Sequence, residues 1–261
     1  MRHPLSTRVA VLMGIASAAP ALQAADTAAD ALPWHDAAQM VVVTTPNWNA
    51  DHGTLRTFTR EGRRWHATGV AFDVTVGRAG LGWGIGLHPP QAEGPRKAEG
   101  DGRAPAGVFA IGTAFGYADT ADTALNYTPM TATDWCIDVA DSPLYNSIVD
   151  TREVGEAAVE GSTEPMRRDI HVDGDQRYRQ GFVIEHNPRR EAAAGSCIFA
   201  HLWSAPGVPT AGCTAMADAH MRALLRWIDP AQRPVFVQLT AEDYARLQAA
   251  WRLPALPDAS T

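Results

Sequence analysis

Residues 196–214 read Ser-Cys-Ile-Phe-Ala-His-Leu-Trp, then Ser-Ala-Pro-Gly-Val-Pro, then Thr-Ala-Gly-Cys-Thr. The apolar run at 197–200, ending in His201, predicts a buried strand. The Pro/Gly segment after it is turn chemistry, and Gly212-Cys213 is a second tight turn. Residues 217–228 then carry Met221, Leu224, Leu225 and Ile228 on one helical face, and Asp229-Pro230 ends that helix. Strand, turn and helix follow one another so closely that they must share one core. The strand aims His201 at the turn that carries Cys213, twelve residues on.

The rest of the chain is punctuated in the same way. Residues 40–45 are a β-branched run that predicts a buried strand. Residues 54–60 alternate as a half-exposed strand, and 65–76 continue as one or two more. Short strands joined by turns predict an antiparallel sheet. Residues 77–107 hold nine glycines and four prolines in 31 positions, too many for regular structure, so they read as a long loop. Strands are expected at 108–111, 134–139, 181–187 and 234–239, and Thr240 caps a last helix over 241–251. Residues 150–178 are polar and show no period. The fold class is therefore mainly β with flanking α-helices.

The N-terminus has the form of an export signal over residues 1–25. Arg2 and Arg8 precede a short apolar stretch, Pro20 breaks it, and small residues follow. Residues 26–38 read as a flexible linker, 39–253 as one domain, and 254–261 as a loose tail. After the signal no apolar run reaches the ~20 residues of a membrane span, so the mature chain has no expected transmembrane segment. The net charge of −7 argues against a nucleic-acid partner. An exported chain meets an oxidising compartment, where three cysteines leave one unpaired. Cys136 and Cys197 both lie on expected strands, so a bridge between them is expected, leaving Cys213 free.

A thiol at a glycine turn a few residues before a helix can have its pKa lowered by backbone N–H groups, and the same groups can receive an oxyanion. The bland alternative is a small buried hydrophobe, the usual fate of a free cysteine. A histidine in an apolar strand is usually a satisfied core residue, but a neutral imidazole beside a thiol is also a base. Cys213 is thus the candidate nucleophile, His201 its base, and His186, at the end of another strand, a supporting residue of the same cleft. His186, His201 and Cys213 are each possible metal ligands. The sequence lacks a His-Glu-x-x-His helix and a Cys-x-x-Cys pair, so neither metal nor cofactor is expected.

His201 followed by Thr210-Ala-Gly-Cys213 resembles the signature of the L,D-transpeptidase (YkuD-type) family: His, a spacer, then Ser/Thr-x-Gly-Cys. Residues 102–109, Gly-Arg-Ala-Pro-Ala-Gly-Val-Phe, resemble that family's earlier Thr-Pro-x-Gly-x-Phe block. The resemblance implies an L,D-transpeptidase-like β-rich catalytic domain in the periplasm or cell envelope. It implies a cysteine-dependent transfer on peptidoglycan stem peptides through a thioester on Cys213. It makes Gly212 and Cys213 N–H the oxyanion donors and gives Thr210 the role of bracing the loop. Thr214-Ala215 stands where the family often has Ile-Arg, so the usual substrate-binding arginine is missing; Arg222, Lys97 and Arg103 are possible substitutes. An L,D-carboxypeptidase or amidase, and a non-catalytic envelope-binding module, are the competing expectations.

Overall fold

The structure, a computed structural model, describes residues 32–257. The expected export signal and the first residues of the linker lie outside them. Among the described residues there are thirteen strands: β1 (Gln39–Thr45), β2 (His52–Glu61), β3 (Arg64–Thr75), β4 (Leu81–Trp83), β5 (Ala104–Gly116), β6 (Tyr127–Pro129), β7 (Asp134–Cys136), β8 (Ile148–Asp150), β9 (Glu164–Pro165), β10 (Gln180–Ile184), β11 (Phe199–Leu202), β12 (Thr214–Met216) and β13 (Val235–Thr240). Eight of them close into a barrel in the order β10-β11-β12-β3-β2-β1-β13-β5, with β5 pairing back onto β10. Closure removes the free sheet edges that an open sheet would expose.

The sheet is mixed rather than antiparallel. β1 pairs with β13 in parallel, as do β11 with β12 and β4 with β5. Residues 203–213 form a crossing loop between β11 and β12 rather than a two-residue hairpin, and a crossing connection brings the strand back in parallel. The short strand β12 and the pieces β4 and β6 were hidden in segments dominated by loop residues.

The barrel strands bury a large apolar core that includes Met40, Leu55, Phe109, Phe182 and Phe236. The helix Asp218–Trp227 adds Met221, Leu224 and Leu225 to that core, as its periodicity predicts. Thr240 Oγ1 accepts from the Asp243 amide at 3.0 Å and caps the helix Ala241–Leu247. The arm just before β1 is tied down. Trp34 is 3% exposed, its Nε1 donates to Trp251 O at 3.0 Å, and the two rings meet edge to face. The tail is anchored at Pro254, whose carbonyl accepts from Tyr244 Oη at 2.8 Å.

A second, smaller apolar cluster lies outside the first: Phe115, Met130, Cys136, Met166, Tyr178, Cys197, Phe199 and Cys213. Residues 117–178, which include the separate three-stranded sheet β8-β7-β9, supply much of it. Cys136 and Cys197 are disulfide-bonded with Cα atoms 5.9 Å apart, and Cys213 is the free cysteine. The bridge pins this excursion to the segment that leads into β11. Among the described residues no helix is long and apolar enough to cross a membrane.

Candidate active site

Alternation along β11 creates the site. Ile198, Ala200 and Leu202 face the main core, whereas Cys197 and Phe199 belong to the second cluster. His201 follows Phe199 by two positions and shares its face. It sits inside β11, not at its end, and Cys197 before the strand takes a left-handed backbone (φ 55°). The parallel register pairs Ala200 with Thr214 and His201 with Ala215, which sets Cys213 beside Phe199. The Phe199 amide donates to Cys213 Sγ at 3.3 Å, and the thiol donates to Cys197 O at 3.5 Å. Tyr178 covers the face, its ring edge-on to His201 at 5.2 Å and to Phe199 at 5.4 Å.

The turn that carries the thiol is closed by Thr210. Its Oγ1 donates to Cys213 O at 2.7 Å and accepts from the Gly212 amide at 3.1 Å. Thr210 is itself held by backbone bonds from Arg78 N to Thr210 O and from Thr210 N to Val76 O, each 2.9 Å. A β-carbon on Gly212 would stand 3.1 Å from Arg103 O, so this glycine admits a neighbouring carbonyl. The Gly212 amide is therefore engaged within the turn. Among the described residues the Cys213 amide has no side-chain acceptor.

Burial decides the charge state of both candidate groups. It pushes the Cys213 thiol up to about 12, with the Glu164 carboxylate adding to the rise and the Phe199 amide and Lys97 opposing it. A helix start does not depress this thiol, because β12 separates Cys213 from the helix Asp218–Trp227. Burial also lowers His201 to about 4, against the hydrogen bond to Leu202 O. That bond, 2.7 Å from Nδ1, assigns the tautomer: a carbonyl only accepts, so Nδ1 carries the proton and Nε2 the lone pair. No hydrogen bond joins the imidazole to the thiol. Cys213, just before β12, thus rests as a neutral thiol, and His201, on the neighbouring β11, as a neutral ring outside the residues that line the thiol's cavity.

Cys213 opens on a cavity of about 170 Å³ lined also by Gly212, Ser196, Lys97, Glu99, Glu164 and Arg78. Lys97 is buried and donates to Asp101 Oδ1 and Ala98 O, each at 2.6 Å. Glu99 Oε2 accepts from Ser196 Oγ at 2.7 Å and from Tyr145 Oη. Glu164 Oε1 accepts from Tyr178 Oη at 2.8 Å and Arg168 Nη1 at 2.9 Å, and burial raises its carboxyl above the usual range. Arg78 is exposed at the mouth, its side chain has no acidic partner among the described residues, and it packs over Gly102. The cavity thus sets cations and carboxylates around one thiol. Glu164 and Tyr178 come from the polar stretch without a period, and Arg78 from the glycine-rich loop, so spacing gave no signal for them.

His186 is not part of this cleft. Its Nδ1 accepts from the Ile85 amide at 3.2 Å and its Nε2 donates to Ala194 O at 3.0 Å. Burial lowers it to about 4, so it is a neutral ring that ties two loops together. Arg103 is spent on Trp48 O, Leu81 O and Asn49 Oδ1. Arg222 pairs with Asp218, one turn earlier on the same helix, and neither lines the thiol cavity. Of the three cations named from sequence, only Lys97 lines the thiol cavity. Among the described residues no three His, Cys, Asp or Glu side chains gather as a metal site, and His186 stands apart from His201 and Cys213. Comparison with protein-family models, with curated proteins and with solved structures yields no match.

Proposed function

We propose that this chain is a cysteine-dependent L,D-transpeptidase that acts on peptidoglycan stem peptides in the cell envelope. One observation carries the reading: the free thiol, Cys213, lies on a polar cavity and against Phe199, two residues before His201 on β11, whose tautomer leaves Nε2 as a base. The order His201…Thr210-Ala-Gly-Cys213 and the β-rich barrel support the family's catalytic domain as the architecture. The disulfide supports an oxidising compartment, as expected of an exported chain.

In this mechanism Cys213 Sγ attacks the acyl carbonyl of the donor peptide. Its proton passes to His201 Nε2 as the C–S bond forms, because a thiol held near 12 does not ionise beforehand. The Cys213 amide faces the oxyanion. Collapse expels the leaving amine, which takes the proton from His201, and a thioester remains. The acceptor amine attacks the thioester, returns a proton through His201 to Sγ, and leaves as the new amide. Arg78, free at the mouth, takes the place of the missing family arginine and binds a donor carboxylate.

Incubation of the chain with tetrapeptide muropeptides tests this. Crosslinked dimers are expected. Trimmed monomers would move the reading to a hydrolase. No product, with a thiol inert to acylating reagents, would leave a binding module.

A further inference from the structure

A second cavity, about 370 Å³, lies against the paired strands β5 and β10 and is lined by Cys136 of the disulfide. Its floor is apolar, with Phe115, Met130, Ile148 and Phe199. Glu185 and Arg190 also line it. Glu185 is half-buried and its carboxylate has no hydrogen-bond or ionic partner among the described residues. Burial alone raises its carboxyl above the usual range. Its position is built into the fold: a β-carbon on Gly112 of β5 would overlap Glu185 Oε1, so the glycine makes room for the carboxylate. Arg190 is exposed, lines the same cavity, and makes no ion pair with Glu185.

A carboxylate withdrawn from water without a partner carries a desolvation cost that a cation relieves. The apolar floor takes an aliphatic stretch next to it. We infer that this cavity binds a primary ammonium group carried on a short aliphatic chain, with Glu185 as its counter-ion. The site does not depend on any chemistry at Cys213. Two sources offer this chemistry, a free diamine and the side chain of a lysine-type amino acid. Arg190 distinguishes them, since only the amino acid brings a carboxylate to the rim.

Calorimetric titration of the full chain with hexylammonium and with hexan-1-ol is the test. Hexylammonium should bind at least about tenfold more tightly than the alcohol, and Glu185→Gln should remove that advantage while leaving the alcohol unchanged. Gly112→Ala should do the same, because the new methyl meets Glu185 Oε1 first, the movable end of that side chain, and pushes it from its place. Tighter binding of Nα-acetyl-lysine than of 1,5-diaminopentane, lost in Arg190→Gln, assigns the amino-acid source; the reverse order assigns the diamine. Equal binding of hexylammonium and hexan-1-ol, or hexylammonium binding unchanged in Glu185→Gln, overturns the inference.

Discussion

Thr210 Oγ1 bonds both the Cys213 carbonyl, at 2.7 Å, and the Gly212 amide, at 3.1 Å, so a single hydroxyl closes the turn that presents the thiol. Thr210→Val keeps the shape and strands a buried carbonyl and a buried amide. Each unpaired group costs about 1–3 kcal/mol, so urea unfolding should show a loss of a few kcal/mol. Turnover should fall with it, and Thr210→Ser should restore both. A Thr210→Val protein with the stability and rate of the parent would remove the hydroxyl from the account.

Three buried histidines, His88, His186 and His201, set a pH dependence of stability, and burial lowers all three. His186 and His201 are each lowered from 6.5 to about 4, with burial the first cause. Within the fold both are neutral; in the unfolded chain both charge near 6.5. Between those values the unfolded chain binds protons that the fold refuses, so stability falls as pH falls from 6.5 toward 4. Each ring then withdraws roughly 3 kcal/mol over the window. Urea unfolding across this range should show a slope to which His186 and His201 contribute up to about 2.7 kcal/mol per pH unit, the value for two protons, with His88 adding in the same direction, and His186→Gln should reduce it by about one proton. A flat profile would show that these rings are not held neutral.

The Cys136–Cys197 bridge closes a separation of 61 residues. The chain-entropy view gives such a loop roughly 4 kcal/mol. Cys136→Ser should lower stability by a comparable amount. It should also disturb Cys213 acylation, because Cys197 O is the acceptor of the resting thiol. Thiol counting on the denatured, unreduced protein should give one free thiol. Three would contradict the bridge.

Arg78 and Arg222 separate a binding role from a surface ion pair. Arg78→Gln should raise KM for a carboxylate-bearing donor by about tenfold with kcat little changed, the pattern of lost ground-state binding. Arg222→Gln, remote from the cavity, should change neither. Equal effects of the two substitutions would take Arg78 out of the substrate site.

Much of the barrel is legible from sequence because apolar alternation and β-branched runs mark half-buried and buried strands, as at residues 40–45 and 54–60. The helix behind the turn is legible because Met221, Leu224 and Leu225 repeat on one face. The parallel pairings are not, since they depend on where long connections return the chain. The disulfide agrees with the odd cysteine count, but only Cys136 lies on a strand; Cys197 precedes β11 with a left-handed backbone that the expected strand did not contain. The free thiol is legible too, but its environment is not. Cys213 was expected to be lowered by a helix start; instead β12 intervenes and burial raises it. The strand expected over 181–187 stops at Ile184, so His186 lies beyond it in a loop, where Ile85 and Ala194 consume both ring nitrogens. Glu164 and Tyr178 reach the cleft from a stretch whose order comes from ion pairs such as Arg168 with Glu164 and Asp175, which leave no period in the sequence.

The nucleophile is the central claim, and intact-protein mass spectrometry tests it most directly. The chain is mixed with a tetrapeptide donor and no acceptor, then quenched in acid. The account predicts one added mass, equal to the donor less its leaving amino acid, located on Cys213 and absent from Cys213→Ala. Donor turnover by Cys213→Ala above a tenth of the parent rate, or an adduct on any other residue, would contradict it.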